Sequence, residues 1–227
     1  NFLMVSVSRD IDLPYSEVPD DTVLWRYLEG YKFDNILDTR QLWFSRIDQF
    51  FDGTEGRKPD GTPDSLGEKH FFKSCGIAGW EDQNESDEDD QRSSYFACCW
   101  HMNQMENLRM WKDYTKKCHD SVAIVGTVDS INRALQNAGS FKSSPVKYVH
   151  GDPRPQFDMK SKFFYKDRKK YSHEREYRNL VSLEKSESGT VIDVKKMISF
   201  DFNVGIKRII FHPRASTRFR NDLRKRF

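Results

Sequence analysis

SSYFACCWHM, residues 93–102, carries the strongest strand pattern of this 227-residue chain. It is rich in aromatic residues, and its centre is apolar without interruption, which predicts a strand. MENLRMWKDYTKKC, residues 105–118, follows with Leu108, Trp111 and Thr115 at helical spacing and Met105 on the same side. We therefore expect a strand that leads into an amphipathic helix.

Similar patterns flank this pair on both sides. Strand patterns cover residues 21–28, 42–45, 121–128, 145–151, 174–184 and 206–213, and a further strand begins within 188–196. Helical patterns cover 33–41, 129–139 with Asp129 as N-cap, and 216–227 with Ser216 as N-cap. There are no repeats and no clear linker. These patterns predict one α+β domain over residues 1–227, built on a mainly antiparallel sheet with flanking helices.

Composition excludes two classes of protein. Hydrophobic residues make up 37 %, charged residues 32 % and aromatic residues 14 % of the chain, too aromatic for a disordered protein and too polar for a membrane protein. No apolar run approaches the roughly 20 residues that span a bilayer, and no signal-peptide pattern opens the chain. We expect a cytoplasmic protein with no membrane partner.

The cysteines Cys75, Cys98, Cys99 and Cys118 show no CxxC spacing. Adjacent residues on a strand point to opposite faces, so Cys98 and Cys99 are badly placed to share one metal ion. Reduced, mostly buried thiols are the expected state. The alternative on paper is a zinc site made by Cys98, His101, Cys118 and His119.

Charge is distributed unevenly, although the net charge is only +2. EDQNESDEDDQR, at about 81–92, carries seven acids and one base, and we expect a solvated loop, or else a nucleic-acid mimic or a clamp over a basic surface. The 21 residues from Lys207 onward carry eight Lys/Arg and one acid, and residues 160–170 form another basic cluster. Basic clusters of this kind are soluble faces or bind phosphates.

YSHEREYRNLV, residues 171–181, places two carboxylates among basic residues. If this stretch is extended, Glu174, Glu176 and Arg178 share one face. Arg178 then reaches Glu176 but cannot serve both acids fully, so a second cation is required.

Arg26 and Arg46 are the candidates for that second cation. Two interpretations remain open at this point. In the first, the charges form a buried ion-paired group that fixes the sheet. In the second, one glutamate contacts a substrate and Arg178 holds the other.

The order of motifs along the chain resembles one bacterial family, the domain of unknown function 2971 family. The matching pieces are LWRYL, ILDTRQLWFSRIDQFFDGTEG, YFACCWHMNQMENLRMWKDY, VKYV, YSHEREYR and IKRIIFHPRAS, which together span about residues 22–216. The chain departs from the family pattern at Cys99-Trp100, at Gly53-Thr54 and at Tyr171. Because the activity of that family is not settled, the resemblance implies a fold and site positions more than a chemistry.

The same order of elements resembles, at the level of pattern, the ADP-ribosyltransferase superfamily. Those enzymes hold NAD in a cleft of a split sheet, with an early Arg or His, a middle Ser or Tyr and a late Glu. By position, Arg26, Ser45 and Glu176 are the nearest equivalents. The resemblance implies NAD as the substrate, no metal, a macromolecular acceptor (protein or nucleic acid), and a role as a toxin or phage-defence effector.

The candidate residues suit that chemistry. Cleavage of the nicotinamide–ribose bond develops positive charge on the ribose, which a carboxylate stabilises. We expect Glu176, or Glu174, to supply it and Arg26 to meet a phosphate or the ribose. Ser45 is expected to orient the nicotinamide, and the aromatic candidates for stacking on a flat ring are Tyr27, Trp111 and Tyr114.

Two other functions remain open. A metal-dependent nuclease would use Asp52 and Glu55, in the loop after the second strand, together with Glu174 and Glu176. Asp52-Gly53 is equally typical of a simple turn. A non-catalytic protein would bind nucleic acid or another protein through the basic C-terminal residues 216–227 or the acidic loop.

Overall fold

The computed structural model describes residues 18–50, 92–116, 118–136, 141–149, 161–182 and 195–227. The strands are β1 Val23–Glu29, β2 Gln41–Arg46, β3 Tyr95–Met102, β4 Ser121–Thr127, β5 Lys142–Pro145, β6 Lys147–Val149, β7 Tyr165–Asp167, β8 Glu176–Ser182, β9 Lys195–Ser199 and β10 Arg208–Phe211. The helices are α1 Gly30–Thr39, α2 Leu108–Tyr114, α3 Val128–Ala134, α4 Arg168–Tyr171, α5 Phe202–Gly205 and α6 Thr217–Arg224. Across these ranges no helix combines the length and apolar character needed to cross a membrane.

β3, the strand predicted from residues 93–102, lies at the centre of an eight-stranded antiparallel sheet. One edge of β3 pairs with β8 over its whole length, and β8 pairs in turn with β5. The other edge of β3 pairs with both β1 and β2. β1 pairs in turn with β4 and β4 with β10, whereas β2 pairs with β9. The predicted α+β class with a mainly antiparallel sheet is confirmed.

The sheet forks on the second edge of β3. Pairing with β1 ends at Trp25–His101, and pairing with β2 ends at Ser45–Ala97. Between these two points residues 98–100 have no strand partner on this edge. The two branches therefore diverge from the middle of β3.

One face of the sheet carries a continuous apolar core. Side chains from β1, β3, β4 and β8 pack there against α1, α3, α5 and α6, and the most enclosed members include Leu24, Phe33, Phe44, Ile124, Ile131 and Leu223. The backbones approach closely where β4 meets α5, because a Cβ atom on Gly126 or Gly205 would overlap its neighbours. We call this the apolar face.

The opposite face carries two smaller apolar clusters instead. The first joins Trp25, Tyr27, Ala123 and Val125 to Met110 and Trp111 of α2. The second joins Ile47, Ala97 and Leu180 to Phe163 and Phe164 of the helical turn Ser161–Phe164. Charged side chains of β8 lie on this face too, beside the residues of β3 to which β8 is paired. We call it the charged face.

Three expectations about where strands and helices begin or end were wrong. The strand predicted from residue 174 begins at Glu176, because Glu174 belongs to a helical turn and Arg175 has a left-handed backbone with φ 41°. The strand predicted over 145–151 is divided into β5 and β6. Helix α3 is capped by Thr127 rather than Asp129, because the Thr127 hydroxyl accepts the Ser130 N–H and Ser130 reciprocates.

Helix α2 turns a different side inward from the one expected. Asn107 caps it by accepting the N–H groups of Arg109 and Met110, and Met110 and Trp111 are buried. Met105 and Leu108, expected on the same side as Trp111, are 74 % and 71 % exposed.

The predicted basic C-terminal helix is present as α6, with Ser216 as its N-cap. Several of its cations are used inside the molecule. Arg220 and Arg224 lie over the ring of Phe211, and Arg220 also donates to backbone carbonyls of residues 212, 213 and 215. Arg226 pairs with two aspartates of α1. Most of this helix's charge therefore docks it against the sheet and α1.

Candidate functional site

Glu176 and Arg178, at the start of β8, form the centre of the charged face. Residues paired across an antiparallel ladder share a face, so Glu176 lies beside His101 and Arg178 beside Cys99. Arg178 Nε donates to Glu176 Oε1 at 2.7 Å, and the two residues are 0 % and 2 % exposed. This is a fully buried ion pair.

Lys166, on β7, supplies the second cation that the sequence required. Its Nζ lies 2.8 Å from Glu176 Oε2 and 2.7 Å from Glu174 Oε2, with a side chain only 9 % exposed. One ammonium group thus joins both carboxylates. The expected candidates are engaged elsewhere: Arg46 pairs with Asp48, and Arg26 lies on the apolar face.

Glu174 enters the site from the turn Ser172–Glu174, one residue before β8. The Tyr114 hydroxyl, at the end of α2, donates to Glu174 Oε1 at 3.3 Å, and His101 Nδ1 lies 2.5 Å from the Glu174 carbonyl oxygen. The Glu174 side chain keeps 15 % of its surface exposed, compared with 3 % for Glu176. Glu174 is therefore the carboxylate that solvent reaches.

The charges around Glu176 hold it ionised. Burial by itself would raise the pKa of this carboxyl, but the neighbouring Arg178 and Lys166 outweigh burial and set the pKa well below its usual range. Two cations and two carboxylates sit together, so the group carries no net charge. Glu176 is therefore a carboxylate near neutral pH.

Uncharged groups around the carboxylates have raised pKa values. Burial, and then the negative charge of Glu174 and Glu176, keeps the pKa of Tyr114 well above its usual range. Burial and Glu176 do the same for the Cys99 thiol and for Tyr148, whose hydroxyl oxygen accepts the Glu176 N–H at 2.8 Å. A concentration of perturbed groups of this kind is typical of functional sites.

Arg26 lies at the fork of the sheet, on the face opposite to Glu176. It follows Trp25, which pairs with His101 on the charged face, so its side chain alternates to the apolar face. Its guanidinium donates to the Trp43 carbonyl at 2.9 Å and to the Cys98 sulfur, and it lies over the Trp100 ring. Arg26 thereby bridges the two branches of the fork and does not meet the carboxylates.

The aromatic candidates Tyr27 and Trp111 lie on the charged face but are enclosed. They contact each other edge to face at 4.8 Å and are 4 % and 1 % exposed. Burial raises the pKa of Tyr27 to about 12, and its hydroxyl oxygen accepts the Asn107 N–H. Both rings are core residues in this conformation, while Tyr114, 38 % exposed, is the aromatic group that reaches the surface.

Ser45 lies on the charged face, far from the carboxylates along β3. It pairs with Ala97, whereas Glu176 pairs with His101 four positions further on. At about 3.3 Å per residue this offsets them by roughly 13 Å along the strands, and β3 lies between them. Of the three residues expected by position, Ser45 and Glu176 thus share a face at some distance, and Arg26 is separated from both.

The expected metal ligands Asp52 and Glu55 lie outside the described residues, as do residues 81–91 of the acidic loop and Cys75. Within the parts of the chain that are described, no three His, Cys, Asp or Glu side chains group closely enough to hold a metal ion. Cys98 and His101, two of the four residues of the alternative zinc site, point to opposite faces of β3. Cys98, Cys99 and Cys118 are free thiols.

Sequence reasoning missed Lys166 and His101 as members of this site. Lys166 lies within the basic cluster 160–170, where no spacing distinguishes it from its neighbours. His101 had a signal: as a polar residue inside the apolar run of β3, its imidazole needs a hydrogen-bond partner when buried. Comparisons of the chain with protein-family models, with curated proteins and with solved structures found no match, so the resemblances drawn from the sequence stay predictions.

Proposed function

We propose that this protein is an ADP-ribosyltransferase-like enzyme that binds NAD and transfers ADP-ribose to a macromolecule or hydrolyses NAD. The observation that supports this most is the pair of ionised carboxylates, Glu174 and Glu176, held by one lysine on the charged face beside the exposed ring of Tyr114. A fixed carboxylate is what a cationic ribosyl transition state requires.

The two carboxylates differ in what they can do. Glu176 is enclosed between Arg178 and Lys166, so its role is to hold these two cations in position. Glu174 shares Lys166, is partly exposed and lies beside the Tyr114 hydroxyl. We assign the substrate contact to Glu174, although the motif order of the sequence favoured Glu176.

The chemical step needs no other group to change its charge. The bond between C1 of the ribose and the nicotinamide nitrogen breaks, and its electron pair leaves with nicotinamide. The Glu174 carboxylate stabilises the cationic ribose, and Tyr114, a residue that is 38 % exposed, would stack on a flat base. Water or an acceptor nucleophile then bonds to C1 and releases its proton. Arg175, exposed and adjacent to Glu174, can pair with the pyrophosphate.

The geometry favours this reaction over a metal-dependent nuclease. To bind a divalent cation, Glu174 and Glu176 would have to exchange Lys166 and Arg178 for the metal, which would separate two enclosed cations from their carboxylates. The basic C-terminal helix is weak support for a nucleic-acid-binding module, because Arg220, Arg224 and Arg226 are used in docking. A cytoplasmic location and a toxin or phage-defence role belong to the proposal.

Nicotinamide release is the direct test. Purified protein is incubated with NAD, alone and with cell extract, and free nicotinamide is measured by chromatography. Glu174→Gln should lower the rate about 10²-fold to 10³-fold, as expected when a charge stabilising a transition state is removed. The matched control is Glu106→Gln, an exposed acid of the loop before α2, which should leave the rate unchanged.

Two results would overturn the proposal. One is a wild-type protein that releases no nicotinamide in either mixture. The other is a Glu174→Gln variant that works as well as the wild type while remaining folded by circular dichroism. Divalent-metal-dependent nicking of DNA or RNA by the same preparation would instead support the nuclease.

A further inference from the structure

His101 makes a hydrogen bond whose direction can be assigned. Its Nδ1 lies 2.5 Å from the carbonyl oxygen of Glu174, and a carbonyl oxygen can only accept, so Nδ1 carries the proton. Burial lowers the pKa of this histidine, as do Arg175 and His173 nearby, while the Glu174 carbonyl opposes them. The imidazole is therefore neutral near pH 7, with a proton on Nδ1 alone.

The other ring nitrogen is buried without a partner. His101 is 2 % exposed, and its Nε2 meets no hydrogen-bond donor among the described residues. A buried acceptor without a donor is unfavourable, because it has lost its hydrogen bonds to water without gaining another. Stability alone therefore does not explain why a histidine occupies this position.

The bond to Glu174 acts at a point where the backbone changes direction. Arg175 is one of three non-glycine residues with positive φ in the described chain, and strand β8 begins immediately after it. β3 holds this bend through two consecutive residues: Met102 N–H donates to the Arg175 carbonyl at 2.8 Å, and His101 donates to that of Glu174. The bend determines where the Glu174 carboxylate points.

We propose that His101 is a positioning residue for Glu174: its Nδ1–H holds the Glu174 carbonyl, and thereby sets the direction of the Glu174 carboxylate. The imidazole is enclosed and acts through the backbone of Glu174 rather than by touching the substrate. This inference rests on the proposed function, because it assigns a role to His101 in the reaction of Glu174.

Two substitutions separate the two nitrogens of the ring. The side-chain amide of His101→Asn can donate from near the position of Nδ1 and has nothing at Nε2. The amide of His101→Gln reaches the position of Nε2 and leaves the Glu174 carbonyl without its donor. We expect His101→Gln to lose about 10²-fold in kcat, the cost of misplacing a reacting group by about 1 Å. His101→Asn should keep most of kcat, because it preserves the donor to the Glu174 carbonyl.

A readout independent of NAD is the rate of amide hydrogen exchange at Met102, whose N–H is bonded across the bend. His101→Gln should speed this exchange and His101→Asn should not. In the wild type, nitrogen-15 NMR should show His101 protonated on Nδ1 alone.

Each failure points to a different conclusion. Equal loss of kcat and equal Met102 exchange in the two variants, or a proton on Nε2 in the wild type, would overturn the role of His101. Absence of nicotinamide release from the wild type would overturn the proposed function instead. In that case Met102 exchange and the NMR tautomer still decide whether His101 holds the bend.

Discussion

The two faces of the sheet are built from alternate residues of the same strands but contain different chemistry. On the apolar face, β3 and β8 contribute Phe96, Cys98, Trp100, Tyr177 and Val181 to a continuous core under helices. On the charged face, the residues between them include His101, Glu176 and Arg178, all buried. The strands are therefore stabilised mainly from one side, while the other side encloses ions.

The difference is informative because enclosing ions does not favour folding. Removing a charged pair from water costs several kcal/mol per ion, and well-packed apolar residues of similar volume often serve stability as well or better. The apolar clusters on either side of Glu176 show that this face can also be filled with hydrophobic side chains. Stability alone therefore does not explain the charged group, and the role of Glu174 in catalysis stays a proposal.

Removing one cation of the charged group should give the largest change in stability. Arg178→Met removes the cation bonded to Glu176 and leaves the enclosed carboxylate with Lys166 alone, so we expect the free energy of unfolding to fall by about 3–5 kcal/mol. The measurement is urea denaturation followed by tryptophan fluorescence.

Arg26→Met is the matched control on the apolar face. Arg26 is only half-buried and bonds to a carbonyl and a thiol rather than to an acid, so its loss should cost about 1–3 kcal/mol. Equal losses in the two variants would contradict the view that charge pairing distinguishes the faces.

A cavity in the apolar face should weaken the fold without changing the chemistry. Leu42, on β2, is 0 % exposed, and Leu42→Ala should cost about 2–5 kcal/mol through lost burial and an unfilled space. The rate of nicotinamide release per folded molecule should stay at the wild-type value. A selective loss of activity at full folding would show that the two faces do not act independently.

Sequence patterns predicted the sheet well because its strands are strongly apolar. β1, β2, β3 and β4 were placed within two residues of their observed ends, since burial of their apolar side chains determines both pattern and fold. The N-cap of α6 was predicted for a similar reason: Ser216 accepts an N–H of its own first turn. Where local chemistry and burial agree, sequence is sufficient.

The site was less predictable because its contacts are distant in sequence. The strand pattern failed at Glu174 because tertiary partners hold it in a turn: Tyr114 lies 60 residues earlier and His101 lies 73 residues earlier. Lys166 looked like one of many surface lysines. Lys166 reaches the carboxylates from β7, which pairs with β6 in a separate two-stranded sheet, and no local spacing encodes that placement.

The smallest effect concerns acid. The pKa of Glu176 is lowered on folding from an ordinary value of 4.5, so the folded state binds this proton less readily than the unfolded chain. The stability it contributes is complete above about pH 4.5 and is lost as the pH falls further, by up to about 1.4 kcal/mol per pH unit for one proton. The free energy of unfolding is measured by urea denaturation between pH 6 and pH 3. Plotted against pH, it should fall less steeply for Glu176→Gln than for the wild type.

Glu29→Gln is the control. Hydrogen bonding to Lys32 lowers the pKa of Glu29, but Lys32 is 28 % exposed, so this substitution should change the pH dependence less. If the pH dependence of Glu176→Gln equals that of the wild type, folding does not lower the pKa of the Glu176 carboxyl. The two faces would then respond to acid alike.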